Sequence, residues 1–273
     1  SRREKSVKPD INWIQIPSGY ATIGSNEEDM KKASEFWKDK LLNPAYGREK
    51  KFQKWLYKEF PSYQPYMSEF FISDTVVTNE WYQSYCDETG KPYPESLTNL
   101  ELGGGKDHPA WGMDIEEAFS FCQWLSGKLG YEVSIPTEEE WEYAARGNTR
   151  HQYPWGDEFD PSYCNTHESN IEKTTPVRHY EKGRSLFGLY DMGGNVEEWV
   201  NTKYHIYEGG IKVVDDLTET LGSDYYILKG GSFARGGDLC RVSRRHGKHP
   251  DPVFRFTGFR VVTRQKQHIK VGV

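Results

Sequence analysis

The sequence predicts an α+β chain in which a few capped helices and a small sheet hold long ordered loops. Three observations support this. Helical periodicity with capping signals recurs before Arg150. Beyond Arg150 the chain is rich in Gly, Pro, Asn and Asp with short hydrophobic pieces, which can fold only as ordered loops around a small sheet. Within that second part, residues 228–262 (LKGGSFARGGDLCRVSRRHGKHPDPVFRFTGFRVV) keep a regular frame. Gly230-Gly231-Ser232, Cys240-Arg241-Val242-Ser243 and Gly258-Phe259-Arg260 enclose runs without hydrophobic period.

The elements follow in order. Residues 11–23 alternate weakly around Pro17 and Gly19, as an opening strand and turn do. Ser25-Asn26-Glu27-Glu28 reads as a capping box with Ser25 as the cap. Met30, Ala33, Trp37 and Leu41 follow at helical spacing, and Pro44 stops the run. Phe52, Trp55, Leu56 and Phe60 predict a second helix, and residues 70–77 a strand. Asp114 with Glu117 caps a helix whose apolar face is Ala118, Phe121, Cys122, Leu125 and Leu129, ended by Gly130. Thr137 with Glu140 caps another, carrying Trp141, Ala144 and Ala145 and ended by Gly147. No repeat, low-complexity tract or linker divides the chain, so residues 1–273 are expected to form one domain.

Composition narrows the function. At 273 residues and 36% hydrophobic the chain can build a core, and 15% aromatic residues predict that rings supply much of the burial. No apolar run approaches a membrane span. The opening SRREKS reads as a trimmed or mature start rather than a secretory signal. From residue 229 onward, 11 Lys and Arg stand against Asp238 and Asp251, a balance of +9; the net charge of −6 leaves −15 for the rest. Such a basic end either steers anionic ligands or pairs internally with the acidic body. No nucleic-acid-binding module accompanies it, so nucleic acid is not an expected partner. Cys86, Cys122, Cys164 and Cys240 are far apart without a CxxC, against a zinc site or a disulfide scaffold. Cys86 and Cys122 fall in apolar helical patterns and are expected as buried thiols.

The motifs PSGYATIGS, VVTNEWYQSYC, HPAWGMDIEEAFSFCQWLSGKLGYEVSIPTEEEWEYAARG, YPWGDEF, FGLYDMGGNVEEWV and KGGSF…CRVS…GFRVV resemble the formylglycine-generating-enzyme (sulfatase-modifying factor) family. The resemblance covers nearly the whole chain apart from a helical insertion at about 26–69. It implies a C-type-lectin-like fold with two main helices, small twisted antiparallel sheets and long loops. Three kinds of member are to be distinguished. The oxidases bind copper through two cysteines after the GGS motif, because soft monovalent copper prefers paired sulfur ligands. Here the second falls on Cys240 but the first on Arg235, which cannot replace a thiolate. The iron-dependent sulfoxide synthases take histidines from an additional helical domain that is lacking here, and His246 and His249 lie beside Pro250 without a matching carboxylate. The variable proteins of diversity-generating retroelements carry a mutated C-terminal segment in a frame that residues 228–262 match closely.

The expectation is therefore a binding protein without catalysis, displayed at the cell surface or outside the cell and taking a protein ligand. Its contacts would come from Phe233, Arg235, Leu239, Arg244, His246, Lys248, His249, Val253, Phe254 and Phe256. Arginine forks and aromatic rings both suit binding hot spots. Phe254 and Phe256 could instead alternate into a core as strand residues. An oxidase using Cys240, or a structural paralogue of such an enzyme, is the alternative. No cofactor is required, but the resemblance implies a structural calcium held by Asp191, Gly194, Val196 and Glu198 through hard oxygen ligands. A glycine-rich turn held by carboxylate-to-amide bonds is the competing reading of that loop. A second calcium loop would begin near Asn165-Thr166, but its downstream Asp has no place in THESNIEKTTPV.

Overall fold

A computed structural model describes residues 9–269; the SRREKS start and Lys270 of the basic end lie outside the described residues. Strand β1 (Trp13–Ile16) and strand β4 (Phe70–Ser73) pair antiparallel from Trp13↔Ser73 to Ile16↔Phe70. Between them lie β2 (Gly19–Tyr20) and β3 (Tyr66–Met67), paired with each other. A second three-stranded sheet is built on β5 (Glu197–Lys203), with β6 (Tyr226–Lys229) antiparallel and β7 (Thr257–Gly258) parallel to it. The last strand, β8 (Val262–Thr263), returns to β4, so both ends of the described chain share one sheet.

The helices follow their capping chemistry. Helix α1 (Glu27–Trp37) starts one residue later than its expected cap: Asn26, not Ser25, accepts from the Asp29 amide. The side chain of Ser25 is drawn away to Glu59, at 2.8 Å. The helix also ends before Leu41, and a short turn, α2 (Ala45–Arg48), intervenes. The expected second helix is broken into α3 (Lys51–Trp55) and a 3₁₀ turn, Leu56–Glu59. Residues 70–77 stop being a strand at Ser73. Helix α4 (Asn79–Thr89), which periodicity marked only around Cys86, is followed by the short α5 (Glu95–Thr98). The two best-capped helices are present as expected, α6 (Ile115–Leu129) with Asp114–Glu117 and α7 (Glu138–Arg146) with Thr137–Glu140. A last short helix, α8 (Asp216–Leu221), lies between β5 and β6.

Packing joins these pieces. Tyr82 of α4, Phe121 of α6 and Phe259 form one aromatic core, with Tyr82 and Phe121 stacked at 5.6 Å. Trp141, Ala144 and Ala145 of α7 meet Ile72, Val200, Ile227 and Val262 from both sheets. The insertion contributes Trp37, Phe52 and Leu56 to a third cluster, against Tyr153, Cys164 and Cys240. The glycine frame has a steric cause. Gly230 adopts a φ of +92°, and a Cβ there would stand 2.6 Å from the Met192 carbonyl oxygen. At Gly258 a Cβ would stand 2.6 Å from the Ala110 carbonyl.

Much of the basic end is neutralised internally. Arg241, Arg245 and Arg260 are fully buried and pair with Glu59, Glu138 and Glu198. Lys229, equally buried, sits 2.7 Å from Glu142. A buried charge persists only when it is paired and hydrogen-bonded. These four residues are framework, and they tie the last fifth of the chain to α7, β5 and the insertion.

A candidate ligand-binding cleft

After Gly230-Gly231-Ser232 the chain enters a 3₁₀ turn, Gly237–Cys240. The Gly237 amide donates to Glu168 at 2.9 Å, and the Arg235 carbonyl accepts from the His167 amide at 2.9 Å. Further on, His246 exchanges backbone hydrogen bonds with Leu228 of β6. These anchors hold residues 235–254 over a cleft whose opposite wall is the insertion, through Leu42, Tyr46 and Trp55, with Asp215 and Asp216 at the start of α8.

The ten expected contact residues divide by position. Arg235, Leu239, Arg244, His246, His249 and Phe254 line the cleft, and Val253, 37% exposed, stands at its rim. Phe254 is the hub: the rings of His246 and His249 lie 5.3 and 5.6 Å from it, and the Arg235 guanidinium stacks at 4.6 Å. On the insertion side the Arg244 guanidinium lies over Trp55 at 5.5 Å. His246 is fixed by a 2.7 Å bond between Nδ1 and the Glu197 carboxylate. Three residues depart from the expectation. Phe233 and Phe256 are buried against each other at 4.4 Å, with Phe256 also against Trp111, so both are core. Lys248 lies outside the cleft, paired with Asp114 at 2.8 Å. Strand alternation would put both phenylalanines on one face; the 3₁₀ turn Pro252–Phe254 breaks it, so Phe254 faces the cleft while Phe256 turns inward just before β7.

The insertion wall was not anticipated. Trp55 reads in sequence as a core helix residue, and no local signal shows that it faces residues some 190 positions later. Asp238 also borders the cleft, and burial raises its carboxyl to about 6.

The donors present decide for each of the two metals that the resemblance brings in. For copper, Cys240 is fully buried in the third cluster, and burial, then the neighbouring Cys164, push its thiol well above the usual range. A protonated, sealed thiol is a poor ligand and nucleophile, and Arg235 stands at the sequence position where the resemblance puts the first cysteine. The pair of sulfurs that the resemblance calls for at positions 235 and 240 is therefore not present, and the sulfur beside Cys240 is the equally buried Cys164. For calcium, Asp191 is buried and raised to about 6 by burial, with one amide donor, Arg178, at 3.2 Å. Its intended co-ligand is already committed. One oxygen of Glu198 accepts from Trp141 at 3.0 Å and from Arg260 at 2.6 Å, and the other accepts from Arg260 at 3.1 Å. With a guanidinium already neutralising Glu198, the folded donor set does not fit calcium, and Gly194 and Val196 are buried turn residues whose loop is closed by the 2.7 Å bond from the Gly194 amide to Gly230.

Comparison with known proteins agrees with this framework. Residues 4–265 match the Sulfatase-modifying factor enzyme 1-like domain. The chain belongs to that family. Among curated relatives of the sulfatase-modifying factor family, the serine/threonine-protein kinase pkn1 of Chlamydia caviae is 31% identical over 74% of this chain and 34% of its own length. The inactive C-alpha-formylglycine-generating enzyme 2 of Mus musculus is 29% identical over 62% of this chain and 56% of its own. The chain thus spans about a third of the chlamydial relative. Among solved structures, PvdO from Pseudomonas aeruginosa superposes with a TM-score of 0.67 at 21% identity, covering 95% and 96% of the two chains. Treponema denticola variable protein 1 gives 0.66 at 20% identity, covering 92% and 94%. At these identities the likeness establishes the fold: α+β, with small antiparallel sheets, in the C-type-lectin-like manner of this family.

Among the described residues no helix is long and apolar enough to cross a membrane.

Proposed function

We propose that the protein binds a protein ligand without catalysis, through the cleft between its insertion and residues 235–254, as a variable protein of a diversity-generating retroelement displayed at the cell surface. One observation carries this reading: the half-buried Phe254 gathers the His249 ring and the Arg235 guanidinium at the cleft, above the buried His246, while the framework around it is fixed by buried ion pairs. A scaffold whose geometry is set elsewhere tolerates exchange of the residues it displays. The family contains formylglycine-generating enzymes and inactive relatives alike, and the buried Cys240 thiol favours the inactive side here.

Two experiments test it. Purified protein incubated with copper(I) and a cysteine-bearing peptide is expected to form no aldehyde; turnover would overturn the reading in favour of an oxidase. The genomic neighbourhood is expected to hold a near-copy of the DNA for residues 228–262, differing at adenines, beside a reverse-transcriptase gene. A neighbourhood without either overturns the retroelement assignment.

A further inference from the structure

Within the proposed binding cleft, on which this inference rests, we propose that Arg235 and Arg244 form the recognition site for a carboxylate side chain of an acidic peptide segment. The argument begins with the other cations of the same segment. Arg241, Arg245, Arg255, Arg260 and Arg264 each pair with a carboxylate. Among the described residues, Arg235 and Arg244 alone of the segment's arginines form no ion pair with a carboxylate. Arg244 is only 4% exposed, yet its single side-chain hydrogen bond goes from Nη1 to the Arg245 carbonyl, at 2.8 Å. Its Nε is buried without a partner, and so is the Nε of Arg235.

A buried guanidinium without a hydrogen-bonded carboxylate is costly, and a ligand carboxylate in the cleft would relieve that cost. The two side chains are also preorganised. Each guanidinium carbon lies over a ring, Phe254 at 4.6 Å for Arg235 and Trp55 at 5.5 Å for Arg244, so part of the rotamer freedom is already lost. A guanidinium with its face stacked offers its N–H edge, the fork that a planar carboxylate takes in two parallel bonds. Among the described residues none of the cleft's own acids, Asp215, Asp216 and Asp238, forms an ion pair with either arginine. Asp215 is engaged by Lys58 and by the Thr218 amide at 3.0 Å. Asp238, half-buried, makes no hydrogen bond or ion pair with either arginine; burial raises its carboxyl, and the more distant charges of Arg244 and Arg235 pull the other way.

The test is selection of phage-displayed random peptides on the full-length protein, followed by calorimetric titration of the selected sequences. The peptides are expected to be enriched in Asp and Glu, and Arg235→Gln is expected to weaken them about tenfold or more, the usual scale for losing a charged hydrogen bond. Arg244→Lys keeps the charge but loses the fork and is expected to weaken them similarly. Arg264→Gln removes an equal charge outside the cleft and is expected to change nothing. Peptides without acidic enrichment, or peptides weakened equally by Arg264→Gln, overturn the inference. Binding lost in Phe254→Ala but unaffected by Arg235→Gln would refute the carboxylate site while leaving the cleft reading in place. Binding indifferent to both variants would refute the cleft reading itself. Should Arg244→Lys lower the melting temperature, the partly exposed Arg235 still decides the matter.

Discussion

Replacing Glu59 by Gln is expected to loosen the seam between the insertion and the C-terminal segment. Glu59 closes the 3₁₀ turn after α3, and its fully buried carboxylate meets both nitrogens of the Arg241 fork, one at 3.2 Å. The hydroxyls of Ser25 and Ser243 donate to it at 2.8 Å each. Glutamine keeps the shape and some of these bonds but leaves Arg241 charged, buried and unpaired. Breaking a buried pair from one side costs about 3–5 kcal/mol. The electrostatics of the pair give the same scale. Burial works against the carboxylate, yet Arg241 and the two serines hold it down to about 2 from an ordinary 4.5. That depression corresponds to about 3 kcal/mol of stability at neutral pH. For a chain of this size, 3 kcal/mol lowers the melting temperature by roughly 10 °C. Calorimetry or near-ultraviolet circular dichroism reads the shift, and adding Arg241→Met to Glu59→Leu is expected to recover most of it, since an apolar pair strands no charge. A Glu59→Gln protein within about 1 kcal/mol of the parent, or a double variant as unstable as the sum of its parts, would refute the claim that this pair docks the insertion.

Acidity provides a second test. Asp191 and Asp238 are raised to about 6, so each favours the fold when protonated, and that contribution is lost as pH rises through 6. Acidifying from pH 7 to 5 is expected to add about 1 kcal/mol for each. Below about pH 4.5 the depressed Glu59 is progressively protonated and stability falls toward pH 2. A melting temperature that drops steadily from pH 7 to 5 would contradict this. Millimolar calcium is expected to leave the melting temperature within about 1 °C; a rise of several degrees, as a ligand bound only by the native state produces, would mean that Glu198 exchanges Arg260 for the ion.

The sequence reveals most where structure is decided by neighbours in the chain. The boxes at Asp114–Glu117 and Thr137–Glu140 are built from residues three apart, and both form as read. Ser25 fails as a cap because its hydroxyl is claimed by Glu59, 34 residues away, leaving Asn26 to do the work. The same competition divides the C-terminal segment. Arg244 and Arg245 are adjacent and chemically identical, yet Arg245 is pulled to Glu138 on α7 while Arg244 turns to Trp55 of the insertion. In a run without a hydrophobic period, no pattern encodes which side chain goes inward. The difference lies in what other segments present to each one. The buried pairs fix the backbone of residues 228–262, and apart from His246, which Glu197 holds, the polar side chains of this segment that line the cleft are ones those pairs leave uncommitted. A substitution at Arg241 or Arg245 therefore strands a carboxylate in the core, whereas one at Arg235 or Phe254 leaves every framework ion pair intact. That asymmetry is the physical condition for a surface that can change while its scaffold does not.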